Sequence, residues 1–159
     1  MYKQTIFWGV LTVLLIVMSC GTLELKCDPV VVVTDHDYTS DPSSVPYKEV
    51  HDEFAENYSG EDLSIELRGE IIKRMHNKAE AIGEDGGILY RCIKATYSDW
   101  DLRPYRIPCY AEKCIYENES IWAIAFNRAN SFDEPSLEHF DLFLVSDSTY
   151  EIVYHTLSY

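Results

Sequence analysis

The chain predicts an α+β domain in which one amphipathic helix packs on a four- to five-stranded antiparallel sheet. Three observations carry this expectation. Leu63, Leu67, Ile71 and Met75 recur every four residues, the spacing of a helix with one buried face. Beyond Gly87 the apolar residues become β-branched and aromatic, in strand-length runs separated by turn residues. A single helix followed by consecutive strands buries both apolar surfaces when the helix lies across one face of the sheet.

The elements follow in order. Residues 1–19 read as an export signal. Lys3 supplies a positive start, Ile6 to Met18 carry no charge, and small residues close the run. Val17-Met18-Ser19-Cys20 resembles a bacterial lipobox, with an aliphatic residue three positions before the cysteine and a small one just before it. The resemblance implies cleavage before Cys20 and acylation there by palmitate-type chains. Gly21 stands where an aspartate would mark inner-membrane retention, which favours the outer membrane. Two rivals remain: ordinary cleavage near Ser19 or Gly21, giving a secreted protein, or an uncleaved anchor over Ile6–Leu25, close to the roughly 20 residues a span requires. All three put the body of the protein outside the cytoplasm.

Residues 20–58 read as an acidic tether and domain edge. From Asp28 to Asp62, ten acids (Asp28, Asp35, Asp37, Asp41, Glu49, Asp52, Glu53, Glu56, Glu61 and Asp62) face one Lys48, and Pro29, Pro42 and Pro46 disfavour regular structure. Within it, Val30–Val33 is a β-branched run suited to an edge strand, and Tyr47–Tyr58 suits a short helix. Residues 59–159 read as a single α+β domain. Ser59 is the expected cap of the main helix, Gly83 its stop, and Gly69 inside it suggests close packing on the sheet. Ile88–Tyr97 reads as a strand, turned at Ser98–Pro104 and returned by Tyr105–Tyr116. Ile121–Phe126 reads as a central strand, and Phe140–Val145 with Tyr150–Leu157 as a hairpin. The arrangement is similar in outline to cystatin-like and NTF2-like rolls. The Gln-x-Val-x-Gly hairpin that cystatins direct at proteases is absent.

The 159-residue chain has a formal charge of −14. Removal of the leader takes away Lys3 and no acid, so the mature protein is more acidic still. Such a chain does not bind nucleic acid by neutralising phosphates, and it attracts basic partners. With Cys20 acylated, four cysteines remain in an oxidising compartment, enough for two disulfides. Cys109–Cys114 with Cys27–Cys92 is the leading pairing; Cys92–Cys109 across a hairpin is the rival. No cofactor or metal is expected. Asp35-His36-Asp37 lacks the glycine and late glutamate of a calcium loop, and the cysteine and histidine spacing is too wide for structural zinc. No Gly-x-Ser-x-Gly elbow or phosphate loop occurs, so no catalytic residue is assigned.

The expected contact surface lies between Ser98 and Cys114, where Trp100, Arg103, Tyr105, Arg106 and Tyr110 cluster. Trp, Tyr and Arg are the commonest interface anchors. Cys109-Tyr-Ala-Glu-Lys-Cys114 is similar in spacing to the Cys-x4-Cys loop of periplasmic inhibitors of vertebrate-type lysozyme. The likeness implies that a stiff loop enters a basic partner's cleft. The leading expectation is therefore a non-enzymatic, lipid-anchored envelope protein of inhibitor or immunity type that binds a basic macromolecule. The alternatives are a ligand-binding or enzymatic roll, with a pocket lined by Trp122, Phe126 and Phe143 near His155 or Tyr154, and a passive structural protein of the envelope.

Overall fold

The computed structural model describes residues 23–42, 47–61, 63–98, 106–129 and 136–157. The signal segment and Cys20 lie outside them, as do Trp100, Arg103 and Tyr105. The described chain runs β1 (Val30–Asp37), α1 (Lys48–Tyr58), α2 (Ile65–Ala81), α3 (Gly86–Ser98), β2 (Arg106–Tyr116), β3 (Glu119–Arg128), β4 (His139–Ser146) and β5 (Ile152–Leu157). The strands form one sheet in the order β1-β2-β3-β4-β5. The protein is thus α+β, with three described helices on a five-stranded sheet.

The sheet is mixed, where an antiparallel one was expected. β1 pairs parallel to β2, with Val30 opposite Tyr110 and Val33 opposite Lys113. A parallel neighbour requires a long crossover, and α1, α2 and α3 form it. The other pairings are antiparallel. Glu117 and Asn118, with φ of 50° and 66°, make the tight turn between β2 and β3, as a two-residue hairpin requires.

Helix α2 keeps the expected stripe, burying Leu67, Ile71, Met75 and Ala79. Its cap is Ser64, whose Oγ accepts the Leu67 N–H at 3.1 Å. Ser59 instead ends α1, where its N–H reaches the Ala55 carbonyl. Gly83 ends α2 with φ of +87°. Gly69 marks no close approach, since a Cβ there would meet nothing within 4 Å. The tight contact is at Gly86, where a Cβ would fall 2.6 Å from the His76 carbonyl oxygen.

Ile88–Tyr97 belongs to a helix, where a strand was expected. Leu89, Cys92, Ile93 and Thr96 are the buried positions, at i, i+3, i+4 and i+7. The β-branched and aromatic content pointed to a strand, but this spacing and the contacts with α2 and the sheet win. Asp85 starts the helix, its carboxylate accepting the Ile88 N–H at 3.0 Å.

The helices cover both faces of the sheet. Tyr97 of α3 packs edge-on against Phe126, and the Cys92 thiol reaches the Ser146 carbonyl. On the opposite face His51 of α1 packs edge-on against Phe140, and Asn127 Nδ2 donates to the His51 carbonyl at 2.8 Å. Double coverage explains why β3 is apolar on both faces, with every residue from Ile121 to Phe126 buried. Residues 30–58, read as tether and edge, contribute β1 and α1 to this layered domain and bury Val31, Tyr38, Phe54 and Tyr58. No helix among the described residues is long and apolar enough to cross a membrane.

Candidate functional site

The most distinctive surface feature is the outer side of α1. His51, Phe54 and Tyr58 face inward, leaving Glu49, Asp52, Glu53 and Glu56 exposed. Their i, i+3, i+4, i+7 spacing draws one acidic stripe along the helix. Lys48 is the helix's one basic residue, and it pairs with Asp52. The hydrogen bonds from Lys48 and from His51 hold the Asp52 carboxyl below the usual carboxylate range. Glu49 with Glu53, and Asp52 with Glu56, are like-charge pairs that cost a helix about 0.2–0.5 kcal/mol each. Against this, Asp52 is held by Lys48, and Glu49 sits in the first turn, where a negative charge suits the helix dipole; all four acids are exposed and lie outside the core.

A second charged centre is buried where β2, β3 and β4 meet α3. Arg106 is 2% exposed. Its Nη1 donates to Asp141 Oδ2 at 3.0 Å and its Nη2 to the Thr96 carbonyl at 3.2 Å. Arg128 Nε donates to the other Asp141 oxygen at 3.1 Å. The Arg106 guanidinium also lies 5.0 Å from the ring centroids of both Phe126 and Phe143. His155 stacks on Phe143 at 4.1 Å, and burial is the main cause of its lowered pKa.

The third centre joins the parallel pair β1 and β2. Glu112, with no exposed surface, accepts hydroxyl hydrogen bonds from Thr34, from Tyr38 at 2.7 Å and from Tyr110 at 3.2 Å. His36 Nδ1 stands 3.7 Å from the same carboxylate, its ring stacked on Tyr38. Burial, then the neighbouring Glu112, push both tyrosine hydroxyls well above their ordinary range; for Tyr38 the hydrogen bond to Glu112 ranks ahead of its charge. Both hydroxyls thus stay protonated donors.

Of the expected contact residues, Arg106 and Tyr110 do not form a surface. They are 2% and 4% exposed and are occupied at the two buried centres. Strand alternation explains this: every residue of β2 from Arg106 to Glu112 is buried, because helices cover both sides. The residues expected to line a pocket are also packed. Trp122, Phe126 and Phe143 have no exposed surface, and Phe126 meets Phe143 edge-on at 5.6 Å.

The four described cysteines are free, buried thiols. The expected Cys109–Cys114 loop is replaced by continuous strand β2. Five residues of strand separate those Cα atoms by roughly 16 Å, against a limit of about 7 Å for a disulfide. Cys27 precedes β1 beside Tyr58, whereas Cys92 bonds Ser146 of β4, three strand spacings or about 14 Å across the sheet. The rival Cys92–Cys109 pairing loses the hairpin it needed, because Cys92 is helical. Burial pushes the thiols of Cys27, Cys92 and Cys114 up to about 12, and raises Cys109 as well. Neutral, buried thiols are poor nucleophiles. No group of three or more His, Cys, Asp or Glu among the described residues has the geometry to hold a metal ion.

The sequence reading missed Glu112 and Asp141 as buried charges. The signal for Glu112 was present in alternation: Tyr110, Glu112 and Cys114 share one strand face, and Cys114 is a residue type that favours burial. Asp141 had a similar signal, the one polar residue within the apolar run Phe140–Val145. Comparison with protein-family models, with curated proteins and with solved structures finds no match for this chain.

Proposed function

We propose that this chain is an exported, lipid-anchored envelope protein that binds a basic macromolecule and performs no chemistry of its own. The observation that carries this reading is the exposed acidic stripe Glu49-Asp52-Glu53-Glu56, on a chain of formal charge −14. The four acids are exposed and lie outside the core, which supports a basic surface as their partner. It replaces Arg106 and Tyr110 as the contact region. Trp122, Phe126 and Phe143 have no exposed surface and Phe126 meets Phe143 edge-on, which favours binding at a surface over a ligand pocket between helix and sheet.

The anchoring half of the proposal rests on the lipobox-like Val17-Met18-Ser19-Cys20. The binding half is tested by pull-down of the mature protein from envelope extract at low and high salt. The comparison is a variant carrying Glu49→Gln, Asp52→Asn, Glu53→Gln and Glu56→Gln. Salt screens exposed charges beyond about 10 Å at 0.1 M. Capture of basic proteins is expected to fall at least tenfold in high salt and in the variant. Capture indifferent to both would sink the proposal.

A further inference from the structure

We infer that the end of the domain carrying Leu23 and Ile65 lies directly against the phospholipid surface to which the chain is tethered; this rests on acylation at Cys20. The argument begins with the length of the leash. Lys26 is already tied into the fold: its backbone N–H donates to the Tyr58 hydroxyl at 3.0 Å, and its ammonium pairs with Glu61. Cys27 is bonded to the same tyrosine, and Asp28 pairs with Arg74 and Lys78 of α2. Ordered contacts therefore begin close behind the acylated residue. The peptide steps from Cys20 to Lys26 extend at most about 22 Å. A domain of this size has a radius of gyration of about 14 Å, so its own diameter exceeds the leash. A protein held this closely rests on the bilayer and does not swing free of it.

The chemistry of that end fits the contact. Ile65, the first residue of α2, is 76% exposed, the most exposed large hydrophobic side chain among the described residues. Leu23, next to the leash, is 45% exposed. The Lys26–Glu61 pair and the Tyr58–Cys27 hydrogen bonds put the entering chain beside the α1–α2 junction, and Ile65 follows Glu61 by four residues. An isolated exposed isoleucine needs no explanation. One beside a membrane leash does, because the headgroup region takes up apolar side chains. Glu24, Glu61 and Glu66 make this end unsuited to anionic lipid, so the fitting surface is zwitterionic phospholipid. The acidic stripe of α1 then runs away from this end, from Glu56 toward Glu49, and remains open to a soluble partner.

The test uses the mature, acylated protein with Ile65→Cys carrying an environment-sensitive fluorophore. The native thiols are buried and protonated, so labelling goes to the new cysteine. A Val153→Cys protein, labelled on the far edge strand, is the reference. On phosphatidylcholine vesicles the label at position 65 is expected to shift to the blue. Spin-labelled headgroups should quench it at least threefold more than the label at 153, and high salt should leave the effect intact. Equal responses at the two sites, in protein whose intact mass shows acylation, would overturn this inference and leave the anchor standing. A mature mass without acyl chains would overturn the anchor and this inference together.

Discussion

Two buried charges in neighbouring parts of the sheet are satisfied in different ways. Asp141 lies between two guanidinium groups, so its partners are themselves charged and partly desolvated. Glu112 instead accepts from three hydroxyls, with His36 Nδ1 standing 3.7 Å away. A buried ion is costly, and what matters is what remains when its partner goes. Loss of Asp141 would leave Arg106, with 2% of its surface exposed, without its carboxylate. Loss of the Glu112 carboxylate would leave the hydroxyls of Thr34, Tyr38 and Tyr110, none of them a guanidinium. The β2–β4 end therefore depends on charge balance, whereas the β1–β2 junction depends on hydrogen-bond donors.

The largest effect should come from Asp141→Ala. Breaking a buried pair by removing one partner typically costs about 3–5 kcal/mol. Urea denaturation is expected to show a loss of that size, and a cost under 1 kcal/mol would break the contrast. Glu112→Gln should cost less, about 1–3 kcal/mol, since its amide oxygen still accepts the hydroxyls on its own side while its NH2 faces a hydroxyl donor on the other. If Glu112→Gln destabilised more than Asp141→Ala, the ranking of the two centres would be reversed. Tyr38→Phe removes one donor and leaves Thr34 and Tyr110 in place, so a loss of about 1.5 kcal/mol is expected in the same assay.

The smallest effect is a pH dependence confined to the Asp141 side. His155 is held below its ordinary value of 6.5, chiefly by burial, with Asp141 raising it and the two arginines lowering it further. The folded state therefore takes up its proton less readily than the unfolded state. That contribution is fully present above pH 6.5 and is lost as the pH falls below it toward the folded value. Thermal melts between pH 7.5 and 5.5 should show a decline in Tm that His155→Gln reduces. An unchanged slope in the variant would remove His155 from this centre.

How much could be read beforehand varies by element. The α2 stripe was legible because Leu67, Ile71, Met75 and Ala79 make the period plain within a single helix. Strands β3, β4 and β5 were legible because turn residues delimit β-branched and aromatic runs. α3 was not, because Ile88, Tyr90, Ile93 and Tyr97 have strand-favouring side chains whose helical spacing matters only once α2 and the sheet are present. The acids of α1 were read as solvation of a tether. Their meaning changed when His51, Phe54 and Tyr58 turned inward and left them on one face. The expected anchors Arg106 and Tyr110 were misplaced for a related reason: composition names residue types that anchor interfaces but does not say which side of a strand is covered.

The acidic charge, the α+β class and the main helical stripe were all set by the sequence. Each of these is a local or summed property of the chain. Tertiary structure alone decided the parallel seating of β1, the helical state of α3, the separation of the thiols and the partners of Glu112 and Asp141. Those outcomes depend on which distant segments share the interior, where sequence separations of up to 78 residues, as between Thr34 and Glu112, are brought to hydrogen-bonding distance.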